Sequence, residues 1–176
     1  MLVSFDSPTQ EATLVRAAQN GDRVAFGRLY EQYGRLVHGI VLAYVSFHDA
    51  EDLTQDVFMK AMEKLAGLRE PAAFGGWLIA IARRMAIDFH RGVRPMSEAG
   101  PKLAGGTQPD GEAFAVLAVI QRLPGSYRET LILRLVEGMT GPEIANRTGL
   151  TPDSVRVNLC RGMKLLRHEL EGNKRI

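Results

Sequence analysis

A single cysteine, Cys160, stands among 176 residues, so no intrachain disulfide can form and the fold must rest on packing alone. The four histidines, His38, His48, His90 and His168, are scattered, and with one thiol they offer no spacing that would hold a structural metal. No nucleophile stands in a motif with a base, and the glycine pair Gly75 and Gly76 lacks the lysine and flanking pattern of a phosphate loop. Catalysis, a metal and an organic cofactor are therefore not expected. No apolar run approaches the 18 or so residues that cross a bilayer, and "MLVSFDSPTQ" has no basic stretch followed by an apolar core. Membrane insertion and export are not expected, and the expected compartment is the cytoplasm.

Alternating, strand-like hydrophobicity is also scarce, while apolar residues recur at helical spacing almost throughout. An all-α fold follows. Ser7, Pro8 and Gln10 read as the cap and first turn of a short helix that stops at Gly21. A second helix is predicted from about Asp22 to Tyr44, burying Phe26, Leu29, Tyr33, Leu36, Val37, Ile40 and Tyr44. A third should begin near Asp49 and end on a left-handed Gly67, and a fourth should lie between Pro71 and Gly92.

The next stretch, "GVRPMSEAGPKLAGGTQPDG", is rich in glycine and proline and has no periodicity, which marks a flexible linker between two small helical domains. Twenty extended residues reach about 65 Å. Beyond it, "AFAVLAVIQRL" reads as a helix, and "SYRETLILRLVEG" as another that opens on a Ser126/Glu129 capping box and closes on Gly138. Thr140 with Glu143 then starts a short helix ended by Gly149, and Thr151 with Pro152 starts a long one. Two helices joined by a tight glycine turn form a helix-turn-helix pattern.

Three surfaces stand out on these helices. On the last, Val155, Leu159, Met163, Leu166 and Leu170 share one side, leaving Asp153, Val157, Cys160, Arg161 and Lys164 on the other to meet water, phosphate or a base edge, with Arg156 and Arg161 as the arginines long enough to reach DNA. Arginine forks suit guanine edges or phosphates, lysine a phosphate, and valine a thymine methyl group. On the third helix, Asp49, Asp52 and Asp56 make one edge acidic, either as a partner surface or as carboxylates favoured by the helix dipole. On the fourth, Arg83, Arg84, Ile87 and Arg91 lie opposite Leu78, Ile81, Ala82, Met85 and Phe89, with Trp77 at the rim. That face suits a nucleic-acid backbone with a stacked base; Trp77 and Phe74 are equally readable as core. The charge balance agrees weakly: ten Lys/Arg against seven Asp/Glu from Glu112 onward, but ten against eleven up to Gly92, so any anionic partner is favoured by the C-terminal part.

Taken in order, "DAEDLTQDVFMKA", "FGGWLIAIARRMAIDFHR", a linker and "LPGSYRETLILRLVEGMTGPEIANRTGLTPDSVRVNLCRGMKLLRHEL" resemble the extracytoplasmic-function (ECF) sigma factors, the small two-domain promoter-specificity subunits of bacterial RNA polymerase. The resemblance implies a region 2 domain over 7–92, a linker over 93–111 and a region 4 domain over 112–171. It implies that Asp49, Asp52, Gln55 and Asp56 dock on core RNA polymerase. Leu68 to Gly76 and the fourth helix would take the melted −10 element, with Phe74, Trp77, Arg83, Arg84, Ile87, Asp88 and Arg91 at or near that strand. Arg156, Val157, Cys160, Arg161 and Lys164 would read the −35 element of promoter DNA. An anti-sigma factor is a common further partner in this family. Two other readings of the residues are a stand-alone helix-turn-helix regulator and a protein that sequesters a partner without touching DNA.

Overall fold

A computed structural model describes residues 8–173 except 93–110; the Ser7 cap and the linker lie outside the described residues, and the side chains of Pro8, Thr9 and Asn173 are also not described. Eight α-helices and no strand occur among the described residues: α1 (Pro8–Gln19), α2 (Arg23–Leu42), α3 (Phe47–Lys64), α4 (Phe74–Gly92), α5 (Gly111–Arg122), α6 (Gly125–Leu135), α7 (Gly141–Thr148) and α8 (Pro152–Asn173). The punctuation that the sequence suggests accounts for most of their ends. Asp22 caps α2 by accepting from the amides of Val24 and Ala25 at 2.8 and 3.0 Å. Thr140 and Glu143 close a reciprocal capping box at the start of α7, and Gly21, Gly138 and Gly149 adopt the left-handed backbone that ends a helix cheaply only with glycine.

Three expectations need correction. Helix α3 starts earlier than Asp49, because the Ser46 hydroxyl caps it by accepting from the Asp49 amide at 3.2 Å. Gly67 is not left-handed: the chain leaves α3 through a 3-10 turn, Leu65–Gly67, closed by the Leu68 amide on the Leu65 carbonyl. The Ser126/Glu129 box does not form at α6, whose N-cap is Pro124, because Glu129 is buried and points elsewhere.

Helices α1 to α4 enclose one apolar cluster in which Leu29, Leu36, Ile40, Phe74 and Leu78 are fully buried. Helices α5 to α8 enclose another set, including Ile120, Leu131, Ile132, Leu133 and Ile144. The sequence left the relative placement of the two halves open. They pack directly: α6 lies on α2, and α7 on α4, so the buried residues of both halves form one continuous cluster. At Gly39 of α2 the two halves lie close, since a Cβ there would sit 2.7 Å from Leu133 Cδ2 of α6.

Candidate nucleic-acid interface

The helix-turn-helix is built as its sequence implies. Gly149 turns the chain at φ 72°, the Thr151 hydroxyl accepts from the Ser154 amide at 3.1 Å, and Val155 and Leu166 anchor α8 on the units beneath it. Gly162 allows that anchoring, since a Cβ there would lie 3.1 Å from Leu131 of α6. The outward face carries Arg156, Val157, Cys160, Arg161 and Lys164, all exposed. Arg156 is held only by a surface pair with Asp153 at 3.2 Å, worth little in water and readily exchanged for a phosphate or base. Five neighbouring side chains of the right chemistry therefore share one accessible helix face.

On α4 the expected residues separate into three groups. Phe74 is fully buried, edge-on to Tyr33 at 5.3 Å and beside Trp77 at 5.9 Å, so it is core and cannot meet a DNA strand. Its neighbour Gly75 is buried too: a Cβ there would press on the Tyr33 hydroxyl at 2.8 Å, so this glycine serves close packing. Arg84, Asp88 and Arg91 are exposed, Arg84 pairing loosely with Asp88 at 3.8 Å, while Ile87 and Trp77 are half-buried at the rim. Arg83 is committed elsewhere. Its Nε and Nη2 donate to the two oxygens of Glu129 on α6 at 2.8 and 2.7 Å, a bidentate pair that raises its pKa further and keeps it charged.

On α3 the acidic edge is split. Asp49 is partly buried and accepts from Ser46 Oγ at 2.5 Å, so it belongs to the cap. Asp52, Gln55 and Asp56 are exposed, and neither aspartate has an ion pair among the described residues. The same face continues into Met59 and Met62, which are 60% and 55% exposed. Sequence reasoning missed these two methionines; the spacing 52, 55, 56, 59, 62 carries the signal, since it is a helix stripe. Soft apolar side chains and carboxylates without an ion pair among the described residues therefore share one exposed stripe of α3.

The junction of the halves carries polar contacts that no local pattern foretells. Glu129 also accepts from Tyr44 Oη at 2.6 Å, the Arg128 guanidinium lies over the Tyr44 ring at 4.4 Å, and Gln121 donates at 2.8 Å to each of the Leu42 and Val45 carbonyls that end α2. Arg147 of α7 lies over the Tyr33 ring at 4.8 Å and pairs with Glu11 at 3.9 Å, and Glu11 accepts from Tyr33 Oη at 2.7 Å. Burial, followed by that bond to Glu11, holds the Tyr33 phenol well above its ordinary range. His38 Nδ1 meets Glu137 at 2.5 Å on the wall of a cavity of about 390 Å³ that Tyr30, Arg35, Phe47 and Glu51 also line.

The bond to Glu137 raises the His38 pKa against an opposing burial effect, and Glu51 of α3 adds to the rise, whereas Arg35 is the cation that shares this cavity. A folded-state pKa raised above the ordinary value of about 6.5 gives a contribution that is complete below that value and is lost as pH climbs through the raised one. Urea midpoints measured at pH 6 and pH 8.5 should accordingly show the chain losing stability toward alkaline pH, and His38→Gln should remove that difference.

Residues 29–94 match the family model Sigma-70 region 2, and residues 113–166 match Sigma-70, region 4. The ECF RNA polymerase sigma-E factors of Haemophilus influenzae and Escherichia coli K12 are 27% and 28% identical to this chain, over 92% of it and 95% and 94% of their own lengths. A Xanthomonas campestris protein described as "Probable RNA polymerase sigma factor RfaY" is 32% identical over 87% of this chain, which spans 42% of that protein's length. The solved structure of CnrH in complex with the cytosolic domain of CnrY shares the fold, with a TM-score of 0.60, 24% identity and coverage of 92% of this chain and 97% of that one. The chain belongs to the sigma-70 family, in the extracytoplasmic-function group of sigma factors that direct transcription initiation. Among the described residues no helix is long and apolar enough to cross a membrane.

Proposed function

We propose that α1 to α4 and α5 to α8 divide promoter recognition between them, each weak alone and effective once core RNA polymerase holds both in register. The stripe Asp52, Gln55, Asp56, Met59 and Met62 docks on the polymerase, with Asp49 shaping the start of its helix. Arg84, Ile87, Asp88, Arg91 and the rim of Trp77 meet the melted −10 strand, with Arg83 joining them when it is released from Glu129. Arg156, Val157, Cys160, Arg161 and Lys164 read the −35 element from the major groove. Tethering the two readers on one enzyme adds their affinities through effective concentration. The chain itself does no covalent chemistry; it acts in the cytoplasm beside the polymerase that does, with region 2 over 7–92, the linker over 93–111 and region 4 over 112–171.

The observation that carries this reading is the exposed basic face of α8, presented by a helix-turn-helix behind a second unit whose own exposed stripe is acidic and apolar. A stand-alone regulator would leave that stripe without a partner, and a sequestering protein would leave the basic face without one. CnrH is seen bound to the cytosolic domain of CnrY, which supports an anti-sigma partner for this chain as well. Arg161→Ala tests the assignment of α8: initiation from templates carrying a −35 element should fall by about 5- to 150-fold, the value of one bidentate base contact, while association with core polymerase is unchanged. Equal loss of both would place Arg161 in the fold rather than on DNA.

A further inference from the structure

Among the basic side chains on the outward face of α8 stands one acid, Asp153, the second residue of the helix. No other acid follows along α8 until Glu169. A recognition helix enters the major groove by its N-terminal turn, between two rows of phosphates, so a carboxylate there works against binding to DNA of any sequence. The helix start does not call for Asp153 as a cap, since the Thr151 hydroxyl accepts from the Ser154 amide at 3.1 Å and donates to Ser154 Oγ at 2.8 Å. What Asp153 does hold is Arg156. Its Oδ1 accepts from Arg156 Nη2 at 3.2 Å, three residues along the exposed side of the same helix.

We propose that Asp153 is a positioning residue that sets −35 specificity: it holds Arg156 with a donor edge toward a guanine and keeps it off the backbone phosphates. The idea rests on the assignment of α8 to the −35 element. A guanidinium engaged through one Nη2 hydrogen keeps its remaining N–H donors for the two acceptors, O6 and N7, that guanine shows in the major groove. In water the pair is weak and Arg156 exchanges freely. In a groove emptied of water, a pair that stays intact is stronger, whereas an Arg156 that leaves for a phosphate strands Asp153 unpaired beside like charge. The carboxylate therefore penalises the phosphate-bound state, which every sequence offers, more than the guanine-bound state, which only the right sequence offers. General affinity is given up for discrimination.

Asp153→Asn keeps the side chain's shape and removes its charge. With the side chains of Asp153 and Arg156 87% and 78% exposed, substituting either leaves the core untouched. The full chain and core polymerase are assayed by in vitro transcription on templates randomised through the −35 element, and Arg156→Ala in the same assay identifies the guanine that Arg156 reads. Asp153→Asn should lower the preference for that same guanine about five- to tenfold, part of what one bidentate base contact is worth. Initiation from templates without a −35 element should meanwhile rise about two- to fivefold, the size of one exposed charge interaction. In the Arg156→Ala background Asp153→Asn should change no base preference further, because a residue that acts only through Arg156 has nothing left to position. A carboxylate that merely stabilises the helix start would instead, when removed, weaken initiation from all −35 templates alike with base preference intact, and that result would overturn the proposal. So would a change of base preference that persists without Arg156, since Asp153 would then read a base itself. A wild-type chain that selects no upstream element would remove the −35 assignment and the proposal with it; a wild-type chain that selects one, with Asp153→Asn selecting it equally well, would remove the proposal alone.

Discussion

Phe74→Ala should cost about 3–5 kcal/mol of stability, the usual loss when a large aromatic leaves a cavity in a packed core. Phe74 is fully buried at the start of α4, where Tyr33, itself packed against Gly75, and Trp77 meet it. Against total stabilities of about 5–15 kcal/mol, such a loss threatens the whole chain. It should appear as a lower urea midpoint and a lower melting temperature, with promoter activity lost only in proportion to the unfolded fraction. A variant of normal stability that fails to melt promoters would instead return Phe74 to the DNA-contact group.

Asp52→Lys combined with Asp56→Lys should do the reverse, sparing stability and removing polymerase binding. Both carboxylates are exposed without an ion partner among the described residues, so the free chain loses nothing measurable when they change. At an interface, opposite charge would face whatever cations now receive them, and penalties of about 3 kcal/mol, or roughly a hundredfold in affinity, are expected. Competition against a reference sigma factor for core polymerase measures this directly. Unchanged competition would move the docking face off α3.

The sequence carried the helices because their ends are written in short local patterns: Asp22 beside the amides it caps, the Thr140/Glu143 box, glycine at 21, 138 and 149. It carried the exposed face of α8 for a similar reason, since one helix's periodicity decides which side chains face out. Long-range pairing is written in no such pattern. Glu129 follows Ser126 at capping-box spacing, and nothing nearby says that Arg83, 46 positions earlier, will claim it instead. His38 and Glu137 meet across 99 positions. Phe74 and Trp77 were ambiguous because an aromatic residue on a helix edge fits either a core or a stacked base, and only packing separated the buried ring from the half-buried one. The same blindness hid the packing of the two halves on each other, where Gly39 leaves room for Leu133 and no motif announces it.

In vitro transcription with purified core polymerase on templates whose −10 and −35 elements are randomised tests the central claim most directly. Adding this chain should produce transcripts with defined starts, and the recovered templates should share two short elements at one spacing, with Arg161→Ala relaxing only the upstream one. Transcripts that begin equally well without the chain, or templates recovered with no common elements, would contradict it.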